Sequence, residues 1–197
     1  MHLILANFDH ADINLGFKRL TQEQLIRLES IKGINARGQF LWSRVIYNGL
    51  MRRITGKMPS FELKAGQAHP SFTHNGETYF TSISHTGEWV AVAFDTAPVA
   101  IDIETIKPRQ WQTLSEFVFP EHTTRWIKES SSPLESFYIV WGQRECEYKL
   151  KSWPQSPHLF RASKITTQPH NIMLTCLCDP NSSWKPQLLP ITLLENF

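Results

Sequence analysis

Cysteine is scarce in this chain: Cys146, Cys176 and Cys178 are the only three. An odd, unevenly placed set excludes a disulfide framework and suits a reducing cytoplasm. Cys176-Leu177-Cys178 lacks a second Cys/His pair at metal-ligand spacing, so it reads as two alternate buried positions of a strand. Long apolar runs are absent too; none reaches the roughly 18 residues needed to span a membrane. The run in Met1-His2-Leu3-Ile4-Leu5-Ala6-Asn7-Phe8 is short and has no basic flank, which predicts a first strand rather than a signal peptide. Charge is modest at 19%, against 41% hydrophobic residues with 7 Trp and 12 Phe, which excludes disorder. The 197 residues are enough to bury a substantial core, in one larger domain or two small ones.

The net charge of +2 conceals an asymmetry. Residues 18–64 hold ten basic side chains and three acidic ones, so the remainder is net acidic. Such a division points to an anionic ligand or partner on one side, or to helices with solvated basic faces. No recognisable motif interleaves stacking aromatics with the basic residues, which disfavours nucleic acid as the partner.

Thr21 with Gln24 three residues on predicts a capping box, followed by a short helix through Leu25, Leu28 and Ile31 that ends at Gly33. A longer helix is expected from Asn35 to Ile54, with Gly56 just past its end. Tyr79–Ser84, Trp89–Phe94 and Val99–Glu104 read as strands of one antiparallel unit, with Ser84-His85-Thr86-Gly87 as a polar turn. Shorter helices follow over 111–117 and 123–128. Ser132-Pro133-Leu134-Glu135 then starts a helix to about Lys151, with Ser132 as cap and Glu135 closing a box. Leu134, Phe137, Tyr138, Trp141 and Tyr148 form its expected core stripe, with Glu145 and Lys149 on the same side. Residues 171–178 are strand-like.

The stretch Val99-Ala100-Ile101-Asp102-Ile103-Glu104 carries the chemistry. Period-two alternation turns Val99, Ile101 and Ile103 to one face and Ala100, Asp102 and Glu104 to the other. Two neighbouring carboxylates beside an apolar layer resist desolvation unless a proton or cation joins them. A divalent metal is one resolution; a strand end with solvated acids is the other. Glu145, on an otherwise buried helix stripe, supplies a third acid of the same kind, or a surface pair with Lys149. Three carboxylates and a metal, with cations alongside, suit a phosphate-rich ligand.

Four pieces in order resemble the 4′-phosphopantetheinyl transferases of the surfactin-synthetase-activating type: Ser84-His85-Thr86, Ala100-Ile101-Asp102-Ile103-Glu104, Phe117-Val118-Phe119-Pro120-Glu121, and Trp141-Gly142-Gln143-Arg144-Glu145 running on to Lys149. The resemblance covers residues 80–150 well, residues 30–79 loosely and the C-terminal stretch hardly at all. It implies a pseudo-twofold α+β fold of two lobes, each a small antiparallel sheet packed on helices. The N-terminal lobe, on the nucleotide side, would span 1–100 and the C-terminal lobe, with the metal and catalytic residues, 101–197. It also implies transfer of the 4′-phosphopantetheine arm of coenzyme A to a serine of an apo acyl, aryl or peptidyl carrier protein, giving 3′,5′-ADP. By position, Asp102, Glu104 and Glu145 would hold magnesium, or manganese. Glu145 or a metal-bound water would take the serine proton, Lys149 would act with it, and Glu121 would assist. Arg37, His69, Ser84, His85, Thr86, Arg144 and Lys149 would contact coenzyme A. The implied protein is cytoplasmic and monomeric, with no membrane or nucleic-acid partner.

Three departures bear on that reading. The first lysine of the helix motif is Arg144, which keeps charge but changes geometry. The Gly-Lys-Pro of the family is Ala68-His69-Pro70, and the strand glycine is Ala100. A coenzyme A- or carrier-binding paralogue without transfer, and a magnesium-dependent phosphoesterase, are the alternatives these residues leave open.

Overall fold

The computed structural model describes residues 1–57, 71–151 and 158–189. They build four layers, a helix layer outside each of two stacked sheets. The first sheet contains β1 (His2–Asn7), β2 (Ser71–His74), β3 (Glu77–Thr86), β4 (Trp89–Asp95) and β8 (Gln187–Leu189) in the order β2-β3-β4-β1-β8. Its pairings are antiparallel except β1 with β8, which is parallel. The second sheet contains β5 (Ala100–Thr105), β6 (Leu159–Ile165) and β7 (Ile172–Cys178) in the antiparallel order β5-β7-β6.

Strand alternation explains the stacking. Ile4, Ala6, Val90, Val92 and Phe94 pack on α3 (Ile34–Thr55), a basic helix whose inner side carries Leu41, Trp42, Val45, Ile46 and Leu50. The opposite face of the same strands offers Leu3, Leu5, Ala91 and Ala93 to Val99, Ile101, Ile103, Ile172, Leu174, Cys176 and Cys178 of the second sheet. The small side chains on that face let the sheets approach closely. All three cysteines are free and buried, as alternation predicts for Cys176 and Cys178. Outside the second sheet lies α6 (Pro133–Leu150), joined by α4 (Trp111–Val118) and α5 (Glu121–Glu129) around Phe119, Ile127, Phe137 and Tyr138. Each sheet thus carries one long helix on its outer side, the two-lobed α+β arrangement expected. Among the described residues, no helix is long and apolar enough to cross a membrane.

Several boundaries differ from expectation. The Thr21 capping box is present, but α2 (Gln22–Glu29) stops at Ser30, whose hydroxyl donates to the Arg27 carbonyl. Gly33 becomes the N-cap of α3, while Gly56 ends that helix with φ 72°, a left-handed turn that favours glycine. A five-residue helix, α1 (Ile13–Phe17), precedes α2. Ser84-His85-Thr86 is not a turn but the last part of β3. Nor does β5 join β3 and β4 in one unit; it crosses to β7. Ser132 makes no side-chain cap, and the Glu135 side chain that would close the box is drawn instead to Lys164 of β6 at 2.7 Å. Tyr148 is 71% exposed; the last turns of α6 bury Cys146 and Leu150 against Ala100 and Leu177 instead.

Gly142 is where α6 comes closest to the second sheet. A Cβ there would lie 2.7 Å from Thr175 Cγ2 and nearer still to its hydroxyl. Gly142→Ala would gain up to about 1 kcal/mol of helix propensity. Overpacking costs about 1–3 kcal/mol, so a net loss is expected. Melting should show a fall of several degrees, and Gly142→Ala/Thr175→Ala should recover most of it. An unchanged melting temperature in the single variant would contradict the packing.

Candidate functional site

The site lies where β5 crosses the end of β3. The inner face of β3 presents Ser82, Ser84 and Thr86 at period two. Their hydroxyl oxygens accept the backbone N–H groups of Ile101 (3.0 Å), Ile103 (3.2 Å) and Thr105 (3.2 Å) in register. A buried N–H must find an acceptor, and here side chains rather than a neighbouring backbone supply it. This hydroxyl ladder joins the two sheets.

Asp102 sits within the ladder and is 7% exposed. Its Oδ1 accepts from Ser84 Oγ at 2.9 Å and from Lys149 Nζ at 3.2 Å. Lys149 also donates to the Ile101 carbonyl at 2.7 Å, and Thr175 donates to the Asp102 carbonyl at 3.4 Å. The other carboxylate oxygen, Oδ2, is buried and has no hydrogen-bond partner among the described residues. Leaving a charged oxygen unpaired is costly, and a cation is one species that would relieve it, a proton another.

Glu104 is half-buried. Burial, and then the charge of Asp102, push its carboxyl up to about 6. Arg109 and a hydrogen bond from the Trp141 indole oppose that rise, and Glu145 adds to it. Arg109 is itself steadied over the rings of Phe137 and Tyr138, at 5.9 and 5.6 Å. Asp102, Glu104 and Glu145 are therefore neighbours in charge. Among the described residues, however, no three His, Cys, Asp or Glu side chains converge as a formed metal cage. The hard oxygen donors, the excess negative charge and the bare Oδ2 still fit a divalent cation.

His85 points to the other side of β3. Its pKa is lowered mainly by burial, and further by the cations of Lys149 and Arg44, with Asp102 acting the other way. Arg44 comes from α3, where it stacks 4.5 Å over Phe40. Burial lowers its pKa to about 10, so it stays cationic at neutral pH. Two helices thus bring cations to one histidine, one from each lobe.

The remaining predicted residues are placed as follows. Ser84 and Thr86 are brought to the carboxylate strand, with their hydroxyls engaged by β5. Arg37 stands in the first turns of α3, a helix whose N-cap, Gly33, supplies no side-chain bond. His69 lies outside the described residues. Arg144 faces away from the carboxylates: its guanidinium donates to the Val118 carbonyl at the end of α4 and lies 6.0 Å over Phe119. Glu121 is exposed at the start of α5, with Arg125 at 2.7 Å. It lines a pocket of about 360 Å³ with Glu116, Phe119, Thr124, Arg125 and Lys128. Sequence reasoning missed Arg44, Arg109 and the Trp141 indole as contributors, and Ser82 as a rung of the ladder. Ser82 had a signal, since it precedes Ser84 and Thr86 at period two.

No family model matches the chain. Curated proteins do. A Haemophilus influenzae protein assigned to the 4′-phosphopantetheinyl transferases is 29% identical over 61% of this chain and 55% of its own length. The 4′-phosphopantetheinyl transferase Sfp of Bacillus subtilis is 35% identical over 32% of this chain and 29% of its own. The 4′-phosphopantetheinyl transferase AcpT of Salmonella typhimurium is 29% identical over 51% and 53%. The matched part of this chain thus spans about half the length, or less, of these relatives.

Proposed function

We propose that this chain, a sequence relative of the 4′-phosphopantetheinyl transferases, moves the 4′-phosphopantetheine arm of coenzyme A onto a serine of an apo acyl, aryl or peptidyl carrier protein. The observation that carries this reading is Asp102, buried with one oxygen bare, beside Glu104, Glu145 and Lys149, with His85 within electrostatic reach of Asp102 and Lys149. A cluster that mixes three carboxylates, only partly compensated, with cations suits a metal–pyrophosphate ligand better than a solvated strand end.

In the reaction a serine oxygen–phosphorus bond forms and the pyrophosphate P–O bond breaks. The electron pair departs with 3′,5′-ADP, and the serine proton passes to the Glu145 carboxylate. Asp102 through Oδ2, Glu104 and Glu145 are the residues that would hold magnesium, or manganese. When bound, the ion supplies charge neutralisation at the pyrophosphate. Lys149 and His85 bind phosphate oxygens, and Arg44 adds positive charge behind His85. Arg37 faces the nucleotide. The positioning of an in-line displacement, rather than covalent participation, is the protein's main contribution. Arg144 serves the helix packing, and Glu121 a salt bridge on the flank of α5.

The lobe division belongs to the same reading. Residues 1–100 supply the nucleotide side and 101–197 the carboxylates, with the strand Gln187–Leu189 returned to the first sheet.

The test is incubation with Mg²⁺, coenzyme A and a panel of apo carrier proteins, followed by mass spectrometry of the carriers. The expected result is a gain equal to the phosphopantetheine arm, with stoichiometric 3′,5′-ADP. No gain on any carrier would reject transfer. Cleavage of coenzyme A without a carrier would instead indicate a phosphoesterase.

A further inference from the structure

We infer that Ser84 is a positioning residue for Asp102, fixing Oδ1 so that Oδ2 is presented to the cation, and not a contact to the phosphates of coenzyme A. The inference rests on the proposed metal-dependent reading of the site.

The hydroxyl of Ser84 is fully committed. It accepts the Ile103 N–H at 3.2 Å and donates to Asp102 Oδ1 at 2.9 Å, and the residue is 7% exposed. A hydroxyl has one proton; once that is given to Asp102, no donor remains for a phosphate oxygen. Both backbone neighbours of Asp102 are tied as well, Ile101 by Ser82 and Lys149, and Ile103 by Ser84. The carboxylate therefore cannot turn about its own bond without breaking the Ser84 and Lys149 contacts together. Lys149 is a flexible donor divided between two acceptors. Ser84 stands on the short stem of a strand residue, and it alone fixes the angle of the carboxylate to the ladder. Partners of this kind, once removed, typically cost tenfold to a hundredfold in metal affinity.

Ser82 provides the control. It makes the neighbouring rung of the same ladder, accepting the Ile101 N–H at 3.0 Å, and it is fully buried. Ser82→Ala and Ser84→Ala each strand one buried N–H and should lower the melting temperature alike. Only Ser84→Ala frees Asp102.

The experiment measures, on the full chain, the Mg²⁺ concentration that half-saturates coenzyme A binding by calorimetry. It also measures the KM for coenzyme A at saturating Mg²⁺. Ser84→Ala should raise the Mg²⁺ midpoint roughly tenfold or more, with the KM for coenzyme A near the parent value once Mg²⁺ saturates. Ser82→Ala should keep the parent midpoint despite its lower melting temperature. Equal midpoints in the two variants would overturn the inference and leave Ser84 as a rung of the ladder. A raised KM with an unchanged midpoint would also overturn it, and would assign Ser84 to phosphate. If coenzyme A binding by the parent ignores Mg²⁺, the metal reading itself fails, and this inference with it.

Discussion

On the proposed reading, Asp102→Asn should fold and bind its surroundings almost as before, yet lose transfer by about a hundredfold or more. Asparagine has the size of aspartate. Its Oδ1 can still accept from Ser84 and Lys149, and the hydroxyl ladder on either side is untouched. What changes is the other atom. Oδ2, buried and without a partner among the described residues, becomes an NH2 group that donates where an acceptor is needed. The negative charge opposite Lys149 also disappears, although Lys149 keeps the Ile101 carbonyl at 2.7 Å.

Removing one partner of a buried ion pair usually destabilises strongly, because the surviving charge is left unpaired. Two features limit that here. The Lys149 side chain is 17% exposed, and it retains a carbonyl acceptor. Loss of function should therefore far exceed loss of stability. Single-turnover transfer by mass spectrometry, beside melting curves with and without Mg²⁺, separates the two. Retention of more than about a tenth of the parental rate, against the hundredfold or greater loss expected on removing such a group, would remove Asp102 from the proposed metal site.

The order and type of most elements follow from residue pattern. Period-two alternation in 99–104 correctly divides Val99, Ile101 and Ile103 from Asp102, because both faces of that strand are demanding: one is the sheet-to-sheet core and the other a carboxylate site. The same reasoning fails over partnership. β3, β4 and β5 are consecutive and strand-like, and sequential strands commonly pair. Yet β5 pairs with β7 in the second sheet, and β3 meets it across the sheet interface through hydroxyls rather than through backbone pairing. Alternating Ser82, Ser84 and Thr86 are the local trace of that, although hydroxyls beside a histidine equally resemble a turn.

Legibility of the site follows the same division. Asp102, Glu104, Glu145 and Lys149 are each fixed by the period of one element, and the fold brings them into one electrical neighbourhood. Arg109 and Arg44 could not be found this way. Arg109 leaves β5 on a loop with no period, and its direction is set by the rings of Phe137 and Tyr138, nearly thirty residues on. Arg44 is one of four arginines on a helix that has no acid, so only packing distinguishes it from a solvated neighbour. Arg144 shows the reverse case. The resemblance puts it among the coenzyme A contacts, but adjacent helix positions point about 100° apart, and the orphan carbonyl at the end of α4 takes its guanidinium.

Glu104→Gln should make the metal-free protein more stable at pH 7.5 while removing its response to Mg²⁺. Burial and Asp102 raise the Glu104 carboxyl from 4.5 to about 6. Below pH 4.5 the folded and unfolded states both hold the proton, and no difference arises. Between 4.5 and about 6 the folded state holds more protons than the unfolded, so stability falls as pH rises. Above 6 that loss is complete and constant. The full shift corresponds to about 2 kcal/mol, which solvent screening at this half-buried position reduces to roughly 1 kcal/mol. Glutamine keeps the size and the acceptor for the Trp141 indole but carries no charge, so it should melt a few degrees above the parent at pH 7.5. The gain should vanish as the buffer is taken from pH 6 to 4.5. Mg²⁺ should stabilise the parent above pH 6 and release a proton when added near it, because cation and proton compete for one carboxylate; the variant should do neither. A Glu104→Gln protein that is less stable than the parent at pH 7.5, or that responds to Mg²⁺ as the parent does, would show that Glu104 is held by its protein neighbours alone. If the expected pattern is found, this carboxylate costs the empty protein stability, and a bound cation restores it.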